Sequence, residues 1–79
     1  MAREVVLFAD TWSHMEVRWD RNYGMWAICA VTEDDKEVGE REYYTVQADA
    51  IIDAKAYVQS DRCERVEIYT KWGKLSKRR

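Results

Sequence analysis

One stretch limits the fold more than any other. Residues 46–60, VQADAIIDAKAYVQS, place Val46, Ala50, Ile51, Ala54, Tyr57 and Val58 at helical spacing, on one stripe. Asp49, Asp53 and Lys55 lie away from its centre. Thr45 precedes the run as the predicted N-cap, its hydroxyl placed to accept an orphan amide of the first turn. Asp61 and Arg62 end it. Everything on either side reads as β-former runs and polar turns. A single helix covers one face of one sheet, so the chain is predicted to be an α+β domain.

The strands follow from their side-chain alternation. Residues 4–9, EVVLFA, are apolar on both faces. Residues 14–19, HMEVRW, alternate Met15, Val17 and Trp19 against His14, Glu16 and Arg18. DRNYG is a turn cluster, and MWAICAV beyond it is again apolar on both faces, which makes a hairpin. After the polar turn TEDDKE comes VGEREYY, short and charged as an edge strand is, with Gly39 at a bulge position. RVEIYT follows the helix with Val66, Ile68 and Thr70 on one side. The predicted architecture is a mostly antiparallel sheet of four to five strands with one amphipathic helix on one face, in the order β-β-β-β-α-β, as a single domain over residues 1–79. TKWGK reads as a tight turn with Gly73 at positive φ, and residues 74–79 leave it as a short strand or a frayed basic tail. The second sheet face must be covered by the Trp12–Trp19 region, by a second copy or by a partner, and a homodimer is expected on that ground.

Composition narrows the function classes. A chain of 79 residues buries roughly 60% of its unfolded surface. With 47% hydrophobic residues, no proline and four tryptophans, it is a packed domain rather than a disordered one. Cys29 and Cys63 have neither zinc nor redox spacing and read as reduced thiols of a cytoplasmic protein. The apolar run in MAREVVLFAD is too short for a signal peptide or a membrane span, so no membrane association is expected. Ser13 and His14 are strand neighbours pointing to opposite faces, which rules them out as a nucleophile–base pair. One histidine and two separated cysteines do not make a zinc site, and three scattered glycines do not make a phosphate loop. The expectation is a non-enzyme with no cofactor and no metal.

Charge is unevenly distributed. Residues 1–70 hold all fifteen acids and eight bases, a balance of −7, whereas residues 71–79 hold five bases and no acid. Glu33, Asp34, Asp35, Glu37, Glu40 and Glu42 crowd into ten positions. Lys71, Trp72, Lys74, Lys77, Arg78 and Arg79 together form a candidate nucleic-acid segment, a ring for a base and cations for phosphates. The acidic remainder opposes that reading.

From Gly24 onward, GMWAICAV, TVQADAIIDAKAYV and VEIYTKWGKL resemble a small uncharacterised bacterial domain family of strands, one alanine-rich helix after a threonine, and a strand closed by a Lys-x-Gly-Lys turn. That resemblance implies a fold and no activity. A second resemblance is to the first half of the ribonuclease H fold. EVVLFAD is similar to its first strand ending in aspartate, QADAIIDAKAYV to the helix carrying a catalytic glutamate, with Asp49 at that place, and VEIYT to the strand before another catalytic aspartate. Here that last place is Lys71, TWSHMEVRWD replaces the glycine-rich loop, and the C-terminal half is absent. Asp10 and Asp49 alone are too few for two-metal chemistry, so this resemblance implies a catalytically dead remnant.

The leading expectation is a small protein that binds another protein through Trp12, Trp19, Glu33, Asp34, Asp35 and Trp72. Its size, charge clustering and lack of a catalytic motif suit a phage or mobile-element accessory inhibitor of a host system. Nucleic-acid binding by the basic end is the alternative, and the ribonuclease H-like remnant is the third.

Overall fold

The computed structural model describes residues 12–78. The strand read over 4–9 lies outside the described residues. Five strands and one helix follow in the order β1 (His14–Asp20), β2 (Met25–Val31), β3 (Glu37–Tyr44), α1 (Gln47–Gln59), β4 (Arg65–Tyr69) and β5 (Leu75–Arg78). They form one sheet in the order β3-β2-β1-β4-β5 with the helix on one face. The α+β class is as expected, but the sheet is mixed rather than mostly antiparallel. β1 pairs β4 in parallel, while β2, β3 and β5 join by antiparallel ladders. The described order is β-β-β-α-β-β, not β-β-β-β-α-β. The physical reason is the crossover: a helix leaving β3 must return the chain over the sheet, which brings β4 in beside β1.

Residues 14–19 therefore form the middle strand of the sheet, not a covering loop. Their alternation sorts the two faces. Met15 and Val17 point under α1 with Trp26, Ile28, Ala30, Val66 and Ile68, against Ala50 and Ala54 of the helix. The alanines let the helix lie close to the sheet, and Ile51, Tyr57 and Val58 flank them. Trp12 closes this core, 6% exposed, with its ring edge-on to Tyr57. Val46, read as part of the stripe, is 51% exposed because it precedes the first helical turn.

Helix α1 starts without a side-chain cap. Its N-cap is Val46 rather than the expected Thr45. Its end is better built: Asp61 N–H donates to Val58 O and Arg62 N–H to Tyr57 O, with Asp61 at φ 62°. That is a Schellman closure with aspartate in the left-handed place that glycine usually fills. The hairpin turns behave as read. Gly24 N–H donates to Asp20 O and Gly73 N–H to Thr70 O, both glycines at positive φ. Gly39, at φ 73°, lies where β3 slips register against β2.

The face turned away from α1 is not an open apolar surface. Ala27, Cys29 and Val31 of β2 are small and buried within the single chain. His14, Glu16, Asp20 and Glu67 are buried there too, and they are charged or polar. The premise for a homodimer through an uncovered greasy face is thus not met among the described residues. No helix among them is long and apolar enough to cross a membrane.

Candidate functional site

Two sites compete for attention on this fold. The first is the polar network on the face opposite α1. Parallel pairing sets Glu16 beside Glu67 and His14 beside Arg65. His14 Nε2 lies 2.9 Å from Glu16 Oε2 and 3.6 Å from Glu67 Oε1, and its Nδ1 meets Ser13 Oγ at 3.0 Å, so these two neighbours do not point apart as expected, because Ser13 precedes β1. Arg18 Nε donates to Glu16 Oε1 at 2.6 Å, and both Nε and Nη2 of Arg65 reach Glu67 Oε2 at 2.7 Å. Tyr69 OH donates to Glu67 Oε1 at 3.1 Å. Burial alone would raise the Glu67 carboxyl, but the bonds from Arg65 and Tyr69 outweigh it and hold the group below the usual range.

Histidine with two carboxylates is a metal-ligating combination, and these three bring their ligand atoms within 4.8 Å of one another. Each carboxylate, however, already has its own guanidinium. A divalent cation entering here would face Arg18 and Arg65 within the same buried network. The arrangement is complete as a structural ion network tying β1 to β4.

The second site lies at the end of the sheet where the parallel strands β1 and β4 terminate. In open sheets with helical crossovers, ligands meet the carboxyl ends of parallel strands. Here a cleft of about 540 Å³ is lined by Arg18 and Trp19 of β1, Arg21 of the first turn, Tyr69 of β4, and Thr70, Lys71, Trp72 and Gly73 of the last turn. Three of these are cations and none is an acid. Arg18 lies 3.8 Å over the ring of Tyr69, and Lys71 Nζ lies 4.3 Å over the ring of Trp19. Among the described residues no acid pairs with Arg21 or Lys71. Trp72 stands 88% exposed at the lip. Its turn is held by Thr70, whose Oγ1 accepts from the amides of Trp72 and Lys74 while its own amide donates to Lys74 O.

The residues singled out from the sequence are divided by this geometry. Trp12 sits in the core, so its ring is not available to a partner. Trp19 is half-buried, wedged between Lys71 and the core residue Trp26, whose ring meets it edge-on at 5.4 Å. Glu33, Asp34 and Asp35 are exposed in the β2–β3 turn, at the sheet end opposite Trp72. Lys71 and Trp72 line the cleft, and Lys74 is exposed behind them. Lys77 and Arg78 fall on β5, the strand option for the basic end; their side chains, and Arg79, lie outside the described residues. Arg18, Arg21, Tyr69 and Thr70 were not anticipated. Arg18 lies on the polar side of an alternating strand, a signal shared by every solvated strand. Only the β1–β4 pairing brings it to Tyr69.

The ribonuclease H resemblance rests on Asp10, which lies outside the described residues, and on Asp49, which is exposed in the first turn of α1. The described strand beside β4 ends instead at Asp20, which the parallel register, carried three steps past Val17 and Ile68, sets level with Lys71. Asp20 Oδ2 already accepts from Arg41 Nη1 at 3.2 Å and Tyr43 OH at 3.3 Å, and Oδ1 from the amides of Asn22 and Tyr23. A carboxylate so occupied, with an ammonium at the neighbouring strand end, does not fit a magnesium ion. No family model, no curated protein and no solved structure matches this chain.

Proposed function

We propose that this protein is a non-catalytic nucleic-acid-binding domain whose contact surface is the cleft at the carboxyl ends of β1 and β4. The observation that carries this reading is the lining itself: Arg21 and Lys71, paired with no acid among the described residues, and Arg18, whose Nε is held by Glu16, beside the exposed ring of Trp72. Cations supply the salt-dependent attraction to phosphate, and an exposed indole supplies a stacking surface for a base. β5 extends the same end of the chain with further basic residues.

The acidic body does not defeat this attraction. Of the densest acids, Glu33 and Asp34 lie in the turn a whole strand away from Trp72, while Asp35 and Glu37 line a separate pocket on the far side of Arg18 and Tyr69. Seven residues of β2 span roughly 20 Å, more than twice the Debye length of about 8 Å at physiological ionic strength. Asp20, the acid closest to the cleft in sequence, is paired with Arg41.

Trp72 would serve a protein partner equally well, since tryptophan is enriched at interface hot spots. The cations beside it favour the nucleic acid. The test is an anisotropy titration with labelled single- and double-stranded oligonucleotides at about 0.05 and 0.2 M salt, the range over which phosphate binding changes most. Binding that weakens steeply with salt and is lost with Trp72→Ala supports the proposal. No binding of either form at low salt overturns it and promotes a protein partner for the same ring.

A further inference from the structure

Resting on that reading, we infer that the ligand is a single strand, and that it runs along the sheet end from Trp72 across Arg21 to a second aromatic platform made by Tyr23 and Tyr43. The second platform stands on its own geometry. The two rings are stacked, with centroids 4.6 Å apart and planes 18° apart, and Tyr23 remains 65% exposed on the outside of the pair. Its position is fixed before any ligand arrives. Asp20 Oδ1 accepts from the Tyr23 amide at 3.2 Å, Asp20 Oδ2 from Tyr43 OH at 3.3 Å, and Gly24 N–H donates back to Asp20 O at 2.8 Å. One buried carboxylate thus holds both the turn and the ring beneath it.

The topology puts both platforms at one end of the sheet. Tyr23 lies in the turn from β1 to β2, and Trp72 in the turn from β4 to β5. With β1 and β4 adjacent, those turns are centred two strand spacings apart, about 10 Å, and the stack on Tyr43 of the edge strand β3 sets the second platform farther out. A stacked strand advances about 3.4 Å per nucleotide, so a bridge between the platforms takes about three nucleotides or more. Arg21, between them, lines the cleft and faces the backbone of such a segment. A duplex keeps its base faces stacked inside, where neither ring reaches them; unpaired bases offer them freely.

The experiment is a length series of end-labelled oligothymidylates of two, four, six and eight nucleotides, with a blunt hairpin duplex as the comparison. Wild type, Trp72→Ala, Tyr23→Ala and Tyr23→Phe are titrated by anisotropy. Wild type is expected to gain affinity from two to about four to six nucleotides and then level off. Tyr23→Ala should lose that gain, about five-fold or more, the lower end of what one stacked base contributes, while binding the dinucleotide as wild type does. Tyr23→Phe keeps the ring and should keep the gain. Trp72→Ala should weaken every length. If Tyr23→Ala follows the wild-type length series while Trp72→Ala is weakened, the second platform is overturned and the nucleic-acid reading survives. Hairpin binding as tight as that of the octamer overturns the single-strand assignment. Absence of binding at every length overturns the nucleic-acid reading itself, and this inference with it.

Discussion

Lys71 Nζ rests 4.3 Å above the ring of Trp19, and the opposite side of that contact leads into the core, where Trp26 meets Trp19 edge-on. A cation on the last turn is thereby seated on a ring of the middle strand. The contact positions the ammonium over the cleft without neutralising it, which an acid partner would do. Replacing Lys71 with glutamine should flatten the plot of log affinity against log salt by about 0.7 units for single-stranded ligands, one phosphate contact's worth. Thermal unfolding of the same variant should stay close to wild type. An unchanged salt slope would remove Lys71 from the binding surface.

Asp61 holds a left-handed φ of 62° at the end of α1, between two Schellman hydrogen bonds. Any residue with a Cβ is strained there, aspartate less than most. Asp61→Gly should therefore raise stability by about 0.5–1 kcal/mol, the relief of that strain less the added entropy of the unfolded chain. Urea midpoints read the change directly, and a lowered midpoint would show that the aspartate side chain contributes more than its backbone costs.

The two thiols should separate cleanly. Cys29 is 2% exposed, and burial pushes its thiol up to about 12, whereas Cys63 is half-buried with its thiol raised in the same direction by burial. A thiol-reactive chromophore at about pH 8 should titrate one group slowly in the native protein and two in denaturant, because only the thiolate reacts. Two fast equivalents under native conditions would contradict the packing of β2.

Acid should weaken the β1–β4 junction. The Glu67 carboxyl is held below its ordinary value of about 4.3, so folding favours its ionised form. Its stabilisation is complete above that ordinary value and disappears as pH falls through the lower native value. Glu67→Gln should be less stable than wild type at pH 7, and the gap should narrow below about pH 4.3 as wild type loses the same charge. Denaturation midpoints measured from pH 7 to 3 decide this; a gap of constant size across that range would mean that the Arg65–Glu67 pair carries no charge-dependent stability.

Local physics made much of this molecule legible in its sequence. Periodicity placed α1 within a residue or two at each end. Alternation gave Met15, Val17 and Trp19 one side of their strand and His14, Glu16 and Arg18 the other. The turn at Gly73 followed from the need for positive φ, the turn ending at Gly24 from the cluster DRNYG, and Asp61 and Arg62 ended the helix as read. All of these depend on interactions between residues a few positions apart. The start of α1 did not follow, because a threonine followed by valine offers two capping registers and local propensity does not choose between them.

Tertiary structure alone decided the rest. Nothing in HMEVRW or RVEIYT says that these strands lie side by side in parallel, since their pairing is made across some fifty residues by the passage of a helix over the sheet. That one pairing put the buried Glu67 beside Glu16, converted an expected apolar face into an ion network, and joined Arg18 and Trp19 to the turn carrying Lys71 and Trp72. The folded chain also turns Trp12 inward against Tyr57 and leaves Trp72 outward, although both are tryptophans in polar company. Burial is a property of what the folded chain places opposite a side chain, and a linear pattern records only which neighbours precede and follow it.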